Sequence, residues 1–126
     1  LIIYNFFQIL RYNEYMTKEI RPWGYYEILN ESHNHKTKYI HIEPGKRLSY
    51  QRHEKRHEHW FIVSGYPMIT LNGQKRLMSP GHSVDFFAGD LHRIEAQSSP
   101  VEFIEVQTGT YFGEDDIERL EDDYGR

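Results

Sequence analysis

The chain contains no cysteine, which excludes both a disulfide framework and a thiolate metal site. Any metal must therefore be held by histidine, carboxylate or amide oxygen. The same lack fits a reducing, cytoplasmic setting. Positive charge is not in excess: 15 Lys and Arg against 19 Asp and Glu leave a net charge of -4, so there is no global basic field for nucleic acid. Local cations such as Lys36, Lys38, Arg52, Lys55, Arg56 and Arg93 still suit an anionic small molecule. Long apolar runs are lacking too. The mostly apolar segment from Leu1 to Leu10 carries no basic leader or small-residue cleavage site and falls short of the roughly 20 residues a bilayer needs, so neither a signal peptide nor a membrane span is expected. Residues 1–20 are read as an N-terminal arm packed on the domain or on a second subunit, or else as an upstream extension ahead of a start at Met16, and residues 21–126 as one domain.

What the chain does have is aromatic weight and turn chemistry. Ten tyrosines, seven phenylalanines and two tryptophans favour strands. From Arg21 onward short apolar runs alternate with breaks at Asn30–Asn34, Pro44-Gly45, Asn72-Gly73, Pro80-Gly81, Ala88-Gly89-Asp90 and Ser98-Ser99-Pro100. Strands are predicted at Trp23–Leu29, Lys36–Ile42, Arg47–His53, His59–Ser64, Pro67–Leu71, Ser83–Phe87, His92–Ala96 and Val101–Gln107. Asn72-Gly73 is the strongest hairpin signal, since a type I′ turn needs positive φ at both central residues. Such regular spacing predicts an all-β antiparallel sandwich or barrel. Only Glu114–Asp122 reads as a helix, an acidic one with a solvated face, because Ile117 and Leu120 lie three apart.

Four residues inside two glycine-framed blocks have metal-ligand spacing. Between Gly45 and Gly65 stand Gln51, His53 and Glu58, and His92 follows Gly81 and the Phe87-Ala88-Gly89 turn. Strand alternation places Gln51 and His53 on one face, with Glu58 arriving from the next strand and His92 from a third. Histidine and carboxylate ligands of this kind suit a borderline or hard divalent cation. A lone histidine in a chain holding eight is most simply a surface or hydrogen-bonded residue. Agreement across both blocks favours the metal. Alternation sends His57 and His59 to the opposite face.

The two blocks resemble the paired motifs of the cupins, small antiparallel barrels whose metal sits in the barrel mouth. Where most cupins carry His-x-His, this chain carries Gln51-Arg52-His53, which is similar to the metal-binding pattern of phosphomannose isomerases. The resemblance widens to Arg21-Pro22-Trp23-Gly24, Glu58-His59-Trp60, Val63-Ser64-Gly65, Glu105-Val106-Gln107 and the ending Gly113–Ile117 with Glu121–Arg126. Together these resemble the type II mannose-6-phosphate isomerase domain over roughly residues 20–126. In that family a run of histidines usually follows Gln-x-His, whereas here the chain reads His53-Glu54-Lys55-Arg56-His57.

The resemblance implies a cupin double-stranded β-helix (jelly-roll barrel) and interconversion of mannose 6-phosphate and fructose 6-phosphate. It also implies a stand-alone isomerase, because the guanylyltransferase usually joined to this domain has no counterpart here. The reaction moves a proton between C1 and C2, so it needs a base and a stabiliser of the developing oxyanion. One divalent ion on Gln51, His53, Glu58 and His92 would supply the second, with zinc the first choice and manganese, cobalt, nickel or iron as substitutes. Lys38, Arg93 and Glu95 are the candidates for phosphate binding and proton transfer, with His59 a weaker base. A phosphorylated sugar is the expected partner, without nucleic acid or membrane, and the subunit is expected to form a homodimer. Two other readings stand beside this one: a metal-bound sugar-binding module without turnover, and another metal-dependent sugar-modifying cupin.

Overall fold

The computed structural model describes residues 18–126. The predicted arm therefore lies almost wholly outside the described residues. Eleven strands form two antiparallel sheets. The larger sheet runs β1 (Lys18–Arg21), β2 (Gly24–Glu31), β3 (His35–Ile42), β10 (Val101–Gly109), β5 (Arg56–Ser64) and β8 (Ser83–Phe86). The smaller runs β11 (Glu118–Glu121), β4 (Tyr50–Arg52), β9 (His92–Glu95), β6 (Met68–Leu71) and β7 (Gln74–Leu77). No helix among the described residues is long and apolar enough to cross a membrane. At Asn72 and Gly73, φ is 48° and 82°, the positive pair that the hairpin between β6 and β7 needs.

Three neighbouring strands of the larger sheet set the interior. Alternation turns Lys36, Lys38, Ile40 and Ile42 of β3 inward, with Val101, Phe103, Glu105 and Gln107 of β10 and Arg56, Glu58, Trp60 and Ile62 of β5. Their register stacks the side chains in rows across the sheet. Ile40, Phe103 and Ile62 form an apolar row; Lys38, Glu105 and Trp60 form the next; Lys36, Gln107 and Glu58 follow. One end of the barrel is thus greasy and the other charged. The greasy end joins Trp23, Ile69, Met78, Phe86 and Ile94 in the core. Each such apolar side chain contributes about 1.5–3 kcal/mol on full burial, and that packing holds the charged end in place.

The expected C-terminal helix is absent. Residues 118–121 form β11, paired antiparallel to β4, and the preceding turn is tied down by its acids. Asp116 accepts the backbone N–H groups of Glu54 and Lys55, each at 3.0 Å, and Glu114 pairs with Lys38 and Lys36 at 2.5 and 3.8 Å. Two apolar residues three apart are too weak a helical signal to compete with those partners, and Leu120 stays exposed. The acidic ending is a strap over the charged end of the barrel, with the residues of β11 still exposed to solvent. Reading by apolar runs also overlooked β1 and β7, whose residues are mostly polar and exposed.

Candidate metal centre

His53, Glu58 and His92 come from the two facing sheets and bring one ligand atom each within 4.8 Å of the others. His53 follows the end of β4, Glu58 lies on β5, and His92 opens β9 directly opposite Gln51 of β4. All three are almost completely buried. Nε2 of His53 stands 3.1 Å from Oε1 of Glu58, and Nε2 of His92 stands 3.2 Å from Oε2. The Nε2 of Gln51 is 3.3 Å from that of His53. Ser49 donates its hydroxyl to Oε1 of Gln51. Because a hydroxyl accepts as well as donates, a half-turn of the amide would keep that bond and present the oxygen to the cluster.

The outer nitrogens decide what the inner ones offer. Nδ1 of His53 lies 2.6 Å from the carbonyl of Asp116, and Nδ1 of His92 lies 2.8 Å from that of Asp90. A carbonyl can only accept, so both Nδ1 atoms carry protons and both neutral rings turn a lone pair at Nε2 toward Glu58. Nε2 of His92 is buried and has no partner in hydrogen-bonding geometry. Lone pairs aimed at a carboxylate favour a cation between them. Burial opposes charge on Glu58, but the bonds and charges of His53 and His92 outweigh it and hold the carboxyl well below its usual range. Burial likewise opposes charge on His92, and Glu58 outweighs it and raises the imidazole. A divalent ion could take the place between the lone pairs and the carboxylate, so the donor set and its orientation fit a metal.

Packing fixes the ring of His92. It stacks on Phe86 at 4.4 Å and meets the edge of Trp60 at 5.4 Å. Trp60 in turn donates its indole N–H to Glu58 at 3.1 Å and to Glu105 at 2.9 Å. Arg56 covers the cluster from the other side, its Nε and Nη2 both 2.9 Å from Oε1 of Glu58.

Beside the cluster opens a cleft lined by Trp23, Tyr26 and Ile40, by Gln51, Arg56, Lys38, Glu105 and Glu114, and by Arg21, Arg119 and Arg126. His53, Glu58 and His92 do not line it; Gln51 and Arg56 stand between. Of the other expected site residues, Lys38 reaches the cleft and donates to Glu114. Arg93 and Glu95 do not, because alternation on β9 turns them away from the face that holds His92 and Ile94. Arg93 donates to the Leu48 carbonyl and to Glu121, and Glu95 pairs with Arg47. His57 and His59 lie on the outer face and share Asp85. Lys55 packs against Tyr111, also outside the cleft.

Several interior residues carry no site role in the sequence reading beyond Arg56's place among the local cations and the Glu105-Val106-Gln107 motif. Glu105, Gln107 and Arg56 have the parity of Phe103 and Trp60, so alternation was the available signal. Glu105 accepts Trp60 Nε1 and, at 2.6 Å, Gln107 Nε2. Burial, then the charge of Glu58, pushes its carboxyl above the usual range.

Comparison with known proteins agrees with this geometry. An uncharacterized conserved protein with a double-stranded β-helix domain from Klebsiella pneumoniae superposes with a TM-score of 0.72 at 18% identity, covering 87% of this chain and 94% of that one. At that identity the likeness shows the fold, the cupin double-stranded β-helix. The alginate biosynthesis protein AlgA of Pseudomonas aeruginosa is 44% identical over 107 residues, which are 84% of this chain and 22% of that protein. Mannose-1-phosphate guanylyltransferase ManC of Salmonella typhimurium is 38% identical over 118 residues, 92% of this chain and 25% of that protein. The chain thus spans about a quarter of the length of these curated relatives. Residues 11–122 match the family model described as mannose-6-phosphate isomerase C-terminal, and the chain belongs to that family.

Proposed function

We propose that the chain is a metal-dependent aldose–ketose isomerase that interconverts mannose 6-phosphate and fructose 6-phosphate. The observation that carries this reading is the inward pair of imidazole lone pairs on Glu58, beside a cleft that also holds a carboxyl raised above its usual range by burial and several cations. Family membership supports the substrate class. The alginate biosynthesis relative supports a setting in polysaccharide precursor supply.

His53, Glu58 and His92, with Gln51 as a fourth donor, would hold the ion, with zinc as the first choice. When bound, such an ion polarises the sugar carbonyl and stabilises negative charge on its oxygen. The chain's own groups do the rest. Glu105 lines the cleft with a carboxyl raised toward neutrality, so we assign it the proton that leaves one of C1 and C2 and returns to the other. Lys38, held by Glu114 and lying 4.2 Å from the Tyr26 ring centre, keeps a positive charge beside that carboxylate while it is ionised. Trp23 and Ile40 give the wall on which the sugar's C–H face rests. We assign no chemical step to Arg93 or Glu95.

The test is direct: incubate metal-loaded protein with mannose 6-phosphate and follow fructose 6-phosphate. No turnover with any of zinc, manganese, cobalt, nickel or iron would sink the isomerase reading. One observation favours a sugar-binding module instead, namely that Arg56 covers Glu58 and keeps the cluster out of the cleft wall. Saturable sugar-phosphate binding without turnover would select that reading. We further propose a homodimer in solution, since among the described residues the outer edges of β1, β8 and β7 have no strand partner and Phe61 and Val63 are exposed on the outer face. Sedimentation equilibrium giving a single-subunit mass would exclude it.

A further inference from the structure

The cleft holds two guanidinium groups with unused donors, one at each depth, although Arg56 is paired with Glu58 through its Nε and Nη2. Arg56, on its floor, is 6% exposed, and its Nη1 is buried with no hydrogen-bond partner. A guanidinium N–H in that state costs about 1–3 kcal/mol until something accepts from it. Arg119, at the rim, faces Gln51 across the β11–β4 ladder. The acids around it serve other cations, Glu118 holding Arg52, Glu121 holding Arg93 and Asp122 holding Arg126. Arg119 itself has no acidic partner among the described residues. Arg21 and Arg126 line the same rim. Burial, then the charge of Arg126 and, least, that of Arg21 disfavour charge on Arg119, while Asp122 and Glu114 oppose this, so an entering anion would add to a partial balance. The planar forks of the three arginines match the oxygens of a phosphate.

We propose that Arg119, flanked by Arg126 and Arg21, is the phosphate subsite of the cleft, and that Arg56 Nη1 receives a sugar oxygen at the opposite end. This rests on the isomerase reading for the identity of the sugar, though not for the anion. A phosphosugar then lies along the cleft with its phosphate outward and its C1–C2 end at Gln51, Arg56 and Glu105. The subsite replaces Arg93, which the sequence favoured and which β9 turns away from the cleft. It also gives the strap a function, because β11 carries the principal phosphate ligand.

Titration calorimetry on the full chain would measure inorganic phosphate, mannose 6-phosphate, mannose and a hexuronate, with wild type, Arg119→Gln, Arg119→Lys and, as a control away from the cleft, Arg52→Gln. Loss of one charge-assisted fork should weaken phosphate and mannose 6-phosphate by about tenfold in Arg119→Gln, with partial recovery in Arg119→Lys and no change in Arg52→Gln. Mannose affinity should be the same in all. If turnover is present, KM should rise with kcat kept. Equal phosphate affinity in wild type and Arg119→Gln overturns the subsite, and so does tighter binding of the hexuronate than of mannose 6-phosphate. Arg119-dependent phosphate binding with no turnover upholds the subsite and overturns the isomerase reading alone.

Discussion

The imidazole of His92 lies almost parallel to the ring of Phe86, with 4.4 Å between centroids and 18° between planes. That stack, with the edge of Trp60 on the other side, leaves the ring one orientation, and the Asp90 carbonyl fixes which nitrogen carries the proton. Metal affinity should therefore depend on a residue that touches no metal. Phe86→Leu keeps a comparable apolar volume but removes the flat surface, and should weaken metal binding by about tenfold, the lower end for lost second-layer support. His92→Ala and His53→Ala should abolish stoichiometric binding. Competition with a chromogenic chelator measures all three. An unchanged dissociation constant in Phe86→Leu would show that the stack is packing only.

The cluster was legible because its signal is spacing along the chain, and glycine-framed turns fix where each strand begins. Alternation then placed Gln51, His53 and His92 and sent His57 and His59 outside. The same rule turns Arg93 outward, and only its place beside His92 made it a candidate; the structure follows the rule. Gln107 was given no site role, and Glu105 none either, because polar residues on an inward parity look like the end of a core, not the start of a site. The C-terminal strap was misread for a different reason. Its conformation is set by Asp116 and Glu114 finding partners on β3 and the β4–β5 turn, contacts more than 60 positions away that no local pattern contains.

Arg93 and Lys38 should separate structure from chemistry. Arg93 is 5% exposed and holds the Leu48 carbonyl at 2.9 Å and Glu121 at 3.0 Å, so Arg93→Gln should lower stability by about 1–3 kcal/mol through unmet buried bonds. Its kcat should remain near wild type at a temperature where it is folded. Lys38→Gln should act on the chemistry, with kcat reduced at least about tenfold for a lost charge in the cleft, beside a modest loss of stability from its broken pair with Glu114. Urea unfolding and steady-state rates on both variants check this. A Lys38→Gln enzyme with normal kcat would remove that residue from the mechanism.

Stability should also fall at acid pH through Glu114. Burial raises its carboxyl, but the charge and hydrogen bond of Lys38, followed by the charges of Arg56 and Lys36, outweigh it and set the pKa below the ordinary value. Because the folded pKa lies below the unfolded one, the stabilisation is fully present above the unfolded pKa, about 4.5. It fades as pH drops through the depressed folded value. The side chain is 54% exposed, so solvent screens the pair and the effect should be modest. In metal-free protein, Glu114→Gln should flatten part of the urea-midpoint decline below pH 4.5 and lower the midpoint at pH 7. A wild-type and variant pair with parallel pH profiles would contradict this.

Metal removal should cost stability, with a pH dependence of its own. The ion binds an arrangement that exists only in the folded chain, since Glu58 and His92 come from facing sheets. At a free concentration one hundred times the dissociation constant the gain is about 2.7 kcal/mol, or roughly 10 °C in Tm for a domain of this size. Protons compete for the same Nε2 atoms, and Glu58 raises the His92 imidazole, so that competition begins above the ordinary histidine range. The zinc-induced rise in Tm should therefore be largest near pH 8 and shrink steadily toward pH 5. In Glu58→Gln the carboxylate that both draws the ion and raises the imidazole is gone, so the shift should be near zero at every pH. Differential scanning calorimetry with zinc and with chelator measures it, and an equal zinc shift at pH 5 and pH 8 would mean that the ion binds elsewhere.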